Sequence, residues 1–353
     1  MSDERSGGGE FDFIERLRRR EQKRSGAVGD DSPLSTLHSS LLKGIGDDAA
    51  VIRQRAGFDT VITADLLVEG VDFELEGGGA TARDVGHKAL AVSLSDAAAM
   101  GARPTMCLLS VGVTRERWRT GFLEEFYRGV RPLAERYGVS VIGGDLSRTP
   151  ERVVVDSVVL GEVRKGRAVL RSGARPGDQI FVTGSLGGAA AGLRVLGARA
   201  GSRLTRAEGR LVKRQLRPEP RVEWGRLLGE ERLASAMIDL SDGLSSDLAH
   251  LCRESGVGAS IEAESVPVDS LLKSPALEES ERLSLALDGG EDFELLFTVP
   301  ARRAARVPAE VGGVGATRVG EVTADASRLT LVREGRPRPL RPRGFEHFGG
   351  RRR

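Results

Sequence analysis

Cysteine is scarce. The 353 residues include only Cys107 and Cys252, both in apolar surroundings, which excludes a disulfide-stapled fold and suits a reducing compartment. The four histidines (His38, His87, His250 and His347) lie far apart, and no HExxH or CxxC spacing occurs. A zinc enzyme is therefore not expected. No apolar run reaches the roughly 18 residues of a membrane span. The opening MSDERSGGGE is too polar for a secretion signal, so the cytoplasm is the expected location. A charge excess is missing too: 53 Lys plus Arg face 51 Asp plus Glu. The small surplus is local, because seven Arg and one Glu follow from Arg336 onward and leave the rest of the chain acidic. The broad basic footprint of a nucleic-acid binder is absent, and the Arg/Pro-rich tail reads as a solvated segment.

What is present is length for about two domains and an alternation of strand-like and helix-like segments. Residues 1–10 are expected to lack order, and Phe11 to Lys23 reads as a short helix docked by Phe11, Ile14 and Leu17. Strands are expected at Ala50–Arg53, Thr60–Val68, Met106–Val113, Val139–Ile142 and Val153–Val163. Helices are expected at Ala82–Met100 and Arg115–Tyr137. After an Arg/Gly/Pro-rich connection, strands are expected at Gln179–Thr183, Ala236–Leu240, Ala259–Ala263, Phe293–Val299, Val319–Val322 and Leu329–Arg333. Helices there are expected at Gly187–Leu196, 204–216, 220–230, Leu244–Glu254 and Ala301–Val311. The mixture predicts an α/β (α+β) protein of two lobes. The divisions are a tail with a short helix (1–36), an N-terminal domain (37–163), a C-terminal domain (164–334) and a tail (335–353).

The distinctive feature is a series of aspartates, each beside Gly or small residues at the end of an apolar stretch. They are Asp47 and Asp48 in GIGDDAAVI, Asp65 in VITADLLVEG, Asp96 in AVSLSDAAAM, Asp145 in VIGGDLS, and Asp239 and Asp242 in MIDLSDGLSSDL, followed by Glu291 and Asp292 in LDGGEDFELLF. On a helix Asp96 shares its face with apolar Val92 and Met100, so it points to an interior or a cleft. Asp145 reads as the end of a short buried strand, where open α/β sheets often hold ligands, although GGD is also a plain turn. Asp239 and Ser241 alternate along a strand end; Asp242 makes the turn into a helix, where it could equally be the N-cap. If these acids converge they repel, by ~4 kcal/mol for a pair ~4 Å apart at an effective dielectric of about 20. A cluster of five or more needs divalent cations, and oxygen donors without His or Cys select Mg²⁺ (or Mn²⁺ or Ca²⁺). Magnesium keeps waters and binds substrate phosphates, which predicts a site for phosphorylated ligands. The run Thr183-Gly-Ser-Leu-Gly-Gly-Ala, from strand to helix, could offer backbone N–H groups to an anion or simply allow close packing. Arg171 is a candidate phosphate clamp.

Together these segments, with GHKALAVSLSDAAAMGARP, LRSGARPGD, RPEPR and GFEHF, resemble the thiamine-monophosphate kinase family. They run in that family's order over about residues 44–348. The resemblance implies the aminoimidazole ribonucleotide synthetase-like fold, a homodimer whose N-terminal lobes pair their sheets, and ATP between the lobes. It implies ATP and thiamine phosphate as substrates, Mg²⁺ as cofactor, and neither a membrane nor a nucleic acid as partner. By motif, Asp48, Thr63, Asp65, Asp96, Asp145, Asp239 and Asp242 would be Mg²⁺ ligands, with Asp239 and Asp242 as metal-positioning groups and no covalent nucleophile. Gly144, Asp145, Arg171 and Ser241 would contact ATP. Asp72, Glu291 and Phe345 would lie on the substrate side, an aromatic face and a carboxylate suiting a thiazolium and an aminopyrimidine. Asp72 stands where the family usually has His; an Asp there would repel the substrate phosphate unless a metal lay between. Asp145-Leu146-Ser147 replaces Asp-Thr-Thr, and Ala64 replaces a common hydroxyl residue. Another ATP-dependent member of the superfamily, or a non-catalytic nucleotide- and Mg²⁺-binding protein, are the competing readings.

Overall fold

The computed structural model describes residues 54–77, 79–198, 203–273 and 277–345, together with 16, 19, 41–43 and 51–52. Two units form. The first takes in residues up to Glu76, Ala80–Ser93 and Pro104–Lys165; the second takes in Gly77–Gly79, Leu94–Arg103 and everything from Gly166. Among the described residues, no helix is long and apolar enough to cross a membrane.

In the first unit, β1 (Leu41–Lys43) pairs antiparallel with β2 (Val51–Ile52). A four-stranded sheet follows, made of β3 (Phe58–Val68), β4 (Arg103–Val113), β5 (Ser140–Arg148) and β6 (Val154–Arg164), in the order β3-β6-β4-β5. The strands β3 and β6 are antiparallel, and β4 and β5 are parallel. The period-2 alternation of β6 buries Val155, Ser157, Val159 and Val163 on one face. The helices are α1 (Ala82–Ala99), whose residues from Leu94 onward belong to the second unit, α2 (Arg115–Arg119) and α3 (Phe122–Tyr137). Gly86 of α1 and Gly129 of α3 let their helices touch, since a Cβ on either would stand 2.0 Å from a backbone oxygen, of Phe126 and Arg83 respectively. The single helix expected over Arg115–Tyr137 is in fact two. Gly121, at φ 73, breaks the run, and Thr114 caps α2 by accepting from the Arg117 N–H. The expected N-terminal helix is described only at Arg16 and Arg19, both helical, with Arg16 bonded to Glu124 at 3.2 Å. Its apolar edge lies outside the described residues.

The second unit is built on β7 (Gln179–Thr183), β8 (Ala236–Asp239), β9 (Gly258–Glu262), β10 (Leu295–Val299), β11 (Glu310–Val311), β12 (Val314–Thr323), β13 (Leu329–Arg333) and β14 (Arg336–Pro339). The sheet order is β14-β13-β9-β12-β7-β10-β8, with β11 paired to β12. The helices are α4 (Gly188–Ala198), α5 (Arg206–Leu216), α6 (Val222–Glu230), α7 (Leu244–Ser255), α8 (Glu279–Asp288) and α9 (Ala301–Ala304). Alternate strand residues feed two packings. Ile180, Val182, Ile238, Leu296 and Val319 cluster with Leu248 and Leu251 of α7. Phe181 stacks on Phe297 at 5.4 Å, with Trp224 of α6 beside Phe297.

Three expectations are corrected here. The helix expected over Ala301–Val311 stops at Ala304, because Pro308 and the Gly312-Gly313 pair, both at positive φ, instead build a tight hairpin between β11 and β12. The segment around α8 carries a helix that its Glu/Ser-rich start conceals. The solvated tail begins as the ordered strand β14, joined to β13 through Glu334 and Gly335, both at positive φ. The expected mixed α/β class holds in both units.

Candidate active site

The first unit presents its polar groups on the helix-facing side of β3. Asp65 accepts a hydrogen bond from Ser93 Oγ of α1 at 2.6 Å. Ser93 Oγ lies 2.6 Å from Ser157 Oγ, which in turn donates to the Ala89 carbonyl. The carboxylate is thereby fixed by a buried serine pair and not by packing alone. Thr63, two residues earlier on β3, is half-buried with the same parity. Asp145 corrects its expected position: β5 runs on to Arg148, so Asp145 is exposed within the strand, opposite Ser110, and not at the strand's end. Gly144 allows this course. Its φ is 149, and a Cβ would lie 1.9 Å from the Leu109 carbonyl oxygen, so only glycine fits. Asp72 folds back on its own turn, where its carboxylate accepts from the Val68 N–H at 2.8 Å. Its carbonyl accepts from Lys88 Nζ, a fully buried ammonium, at 2.8 Å. Asp48 and the rest of GIGDDAA lie outside the described residues.

In the second unit, Asp96 is half-buried on α1. Asp239, 3% exposed, ends β8 and accepts from Ser95 Oγ at 2.8 Å. The strand stops there, so Ser241 belongs to the following loop. Asp242 is not the N-cap of α7. Gly243 holds that place, at φ 115, while buried Asp247 accepts from the N–H groups of both Asp242 (3.1 Å) and Gly243 (3.0 Å). Burial, then the charges of Asp239 and Asp242, push the Asp247 carboxyl up to about 8. Arg171 is exposed, and its carbonyl accepts from Ser255 Oγ at 3.0 Å.

The GGEDFE loop closes over this corner. The Glu291 N–H donates to the Ser241 carbonyl at 2.8 Å, and the Phe345 N–H donates to the Asp242 carbonyl at 3.2 Å. Thus Ser241, Asp242, Glu291 and Phe345 are tied together by backbone. Glu291 and Phe293 both adopt left-handed φ (66 and 49), a cost of about 1–3 kcal/mol each that the surrounding bonds must overcome. The loop's other residues have separate tasks. Glu294 is buried and gripped by both arms of the Arg221 fork, with Thr183 Oγ1 donating at 2.6 Å. This explains RPEPR as the source of a buried ion pair.

Asp292 answers the question posed by the Gly-rich run before α4. Its carboxyl accepts from the N–H groups of Gly187 (2.6 Å) and Ala189 (3.1 Å), so the acceptor at that helix start is the chain's own. Desolvation outweighs these bonds and pushes the Asp292 carboxyl up to about 7. Between about pH 4 and pH 7 the folded chain holds a proton that the unfolded chain has released. This group's contribution to stability is therefore largest in acid and falls as pH rises through that window, by on the order of a few kcal/mol. Asp292→Asn, which keeps a carbonyl acceptor, is expected to flatten this slope in urea unfolding across the same range. An unchanged slope would refute the assignment.

The acids described above offer carboxylate oxygens to a cation. Among the described residues, no three His, Cys, Asp or Glu side chains stand close enough to cage one ion. The expected nest of five or more acids is therefore not a closed protein cage within the described residues. After burial, the negative charges of Asp239 and Asp242 are the next causes of the raised proton affinity of Asp247. Sequence reasoning missed Ser93, Ser95 and Asp247. Asp247 carried a signal, since it follows Asp242 in the same quoted motif.

Two family models match the chain, and the first of them includes Leu94–Arg103, which packs with the second unit. The family described as AIR synthase related protein, N-terminal domain, matches residues 46–163, and its C-terminal domain matches residues 175–332. A thiamine-monophosphate kinase of Escherichia coli (strain K12) is 40% identical over 307 residues, covering 86% of this chain and 91% of its own length. The crystal structure of thiamine-monophosphate kinase from Stenotrophomonas maltophilia superposes with a TM-score of 0.79 at 36% identity, covering 94% of this chain and 98% of that one. AaThiL complexed with AMPPCP and TMP superposes with a TM-score of 0.73 at 31% identity, covering 96% and 97%.

Proposed function

Because the chain belongs to the thiamine-monophosphate kinase family, we propose that the acids and loops described above carry that family's reaction. The enzyme phosphorylates thiamine phosphate to thiamine diphosphate with ATP, releasing ADP. The observation that supports the assignment of residues is the backbone-tied corner in which acidic Asp239 and Asp242 adjoin Ser241, Glu291 and Phe345. It joins groups suited to a phosphate chain with groups suited to an aromatic cation.

The acceptor is itself a phosphate, ionised at neutral pH, so it needs no strong general base. What opposes reaction is repulsion between two polyanions brought into line for direct transfer. In the first unit Thr63, Asp65 and Asp145, with Asp48, would hold magnesium; in the second, Asp96, Asp239 and Asp242 would. Bound there, Mg²⁺ supplies charge neutralisation and a template for the phosphate oxygens. The chain's own part is to fix those carboxylates: Ser93 orients Asp65, Ser95 orients Asp239, and Asp247 braces the backbone of Asp242. Ser241 and Arg171 of the second unit are assigned as ATP contacts, and Gly144 is so assigned in the first. Glu291 and Phe345 receive the thiamine moiety, the ring stacking and the carboxylate accepting. Asp72 is assigned to the substrate side through its turn, which its carboxylate already holds.

Residues 37–163 are assigned to ATP and Mg²⁺ binding and to dimerisation, and 164–334 to the C-terminal domain. The outer face of β3 and β6 supports a homodimer. Ile62 (65% exposed), Ala64 and Leu66 (59%) point away from the helices, opposite Leu160, Val158 and Asp156. A second copy of this sheet is the matching cover. The chain is assigned to the cytoplasm, which supplies ATP and would keep the buried Cys107 and Cys252 reduced. Measuring ADP release with and without thiamine phosphate tests the reading. Release that depends on thiamine phosphate is expected. Release without it, or none under either condition, would replace the kinase with a shifted substrate or a non-catalytic binder.

A further inference from the structure

Gln215 occupies the last turn of α5 on its buried side and is 3% exposed. Its Nε2 donates to Glu291 Oε2. Its Oε1 is buried and accepts no hydrogen bond. A buried carbonyl oxygen stripped of water and given no donor is a standing cost that natural cores rarely carry. Rotating the amide does not remove it, because the carbonyl would then face the Glu291 carboxylate, acceptor against acceptor. Glu291 therefore fixes the orientation, and the orphan oxygen awaits an N–H from elsewhere. Glu291 itself is held by its N–H bond to Ser241 and by a left-handed backbone, so the pair presents two acceptors from a rigid frame.

We propose that Gln215 Oε1 accepts a hydrogen bond from the exocyclic amino group of the substrate's aminopyrimidine, and that Gln215 Nε2 aims Glu291 at the same group. The amino group has two N–H donors, one for each acceptor. Gln215 is thus a specificity-determining residue for the pyrimidine ring, a role that rests on the reading of Glu291 as a thiamine contact. An analogue with oxygen in place of the amino group sets a carbonyl against Gln215 Oε1, and the site rejects it.

The experiment is steady-state kinetics of the full-length enzyme with thiamine phosphate and with the 4-oxo analogue of thiamine phosphate, at saturating ATP and Mg²⁺. The wild type is expected to prefer the amino substrate by about 100-fold or more in kcat/KM. Gln215→Met is expected to raise KM for thiamine phosphate about 10- to 100-fold, to leave KM for ATP unchanged, and to cut the preference to about tenfold or less. A Met variant that keeps the wild-type preference overturns the proposal. So does a wild type that uses both substrates equally, a result that needs no variant to fold. Glu291→Gln separates the two levels. If it leaves KM for thiamine phosphate unchanged, the placement of Glu291 fails and takes this inference with it. If it raises that KM while Gln215→Met leaves the preference intact, the role of Gln215 alone is wrong.

Discussion

Replacing Asp239 by Asn is expected to lower kcat about a thousandfold, which corresponds to about 4 kcal/mol of transition-state stabilisation, while the protein still folds. The side chain is buried at the end of β8 and accepts from Ser95. Asn has the same shape and keeps an acceptor for that hydroxyl, so little packing is disturbed. What disappears is the negative charge. In the metal-free protein that charge is a burden, since Asp239 is one of two neighbours that raise the proton affinity of Asp247. The variant is therefore expected to melt no lower than wild type without magnesium, and to gain less stability than wild type when magnesium and nucleotide are added. Activity and melting temperature then move in different directions, a pattern that simple misfolding does not produce. Asp96→Asn should behave alike. Full turnover in both variants would remove the metal assignment.

The second large effect concerns assembly. Ile62→Asp combined with Leu66→Asp is expected to convert a dimer into a monomer of 37.7 kDa in sedimentation or light scattering. Each side chain contributes about 1.5–3 kcal/mol when fully buried, and twofold symmetry counts each of them twice. The pair thus exceeds the roughly 5.5 kcal/mol that shifts an association constant by 10⁴. Both residues face away from the helices of their own unit, so the monomer is expected to remain folded. A wild-type protein already monomeric at micromolar concentration would end the dimer reading.

Much of this architecture is legible in the sequence because one physical rule acts at a time. The strand Gln179–Thr183 and the strand Leu329–Arg333 emerge with the expected bounds, each being a short apolar or β-branched run between turn formers. Gly138 ends α3 as a left-handed C-cap, a stop that glycine signals in the sequence. Errors arise where two rules compete. Gly143-Gly144 looks like a stop, yet the parallel ladder with β4 carries β5 through it. Gly312-Gly313 is a hairpin signal that helical propensity around Ala301–Ala305 obscures. The acids proposed for the site stand out in the sequence because carboxylates at the ends of apolar stretches violate the binary pattern. Their serine partners were not, because Ser93 and Ser95 are unremarkable in a small-residue helix and meet Asp65 and Asp239 only across 28 and 144 residues. Gln215 left one faint trace. It stands four residues after Leu211 on an amphipathic helix, a polar residue on the apolar side.

The Arg336–Pro339 strand closes one margin of the larger sheet. Prolines 337 and 339 lie opposite Val332 and Thr330, where only an outward amide can be spared without breaking the ladder. The free rim therefore offers few donors and alternates them with arginine, so another strand arriving there would find like charges and missing hydrogen bonds. Fibrous edge-to-edge growth is blocked on that side, and the proposed pairing through the apolar face of the smaller sheet would, by symmetry, end at two.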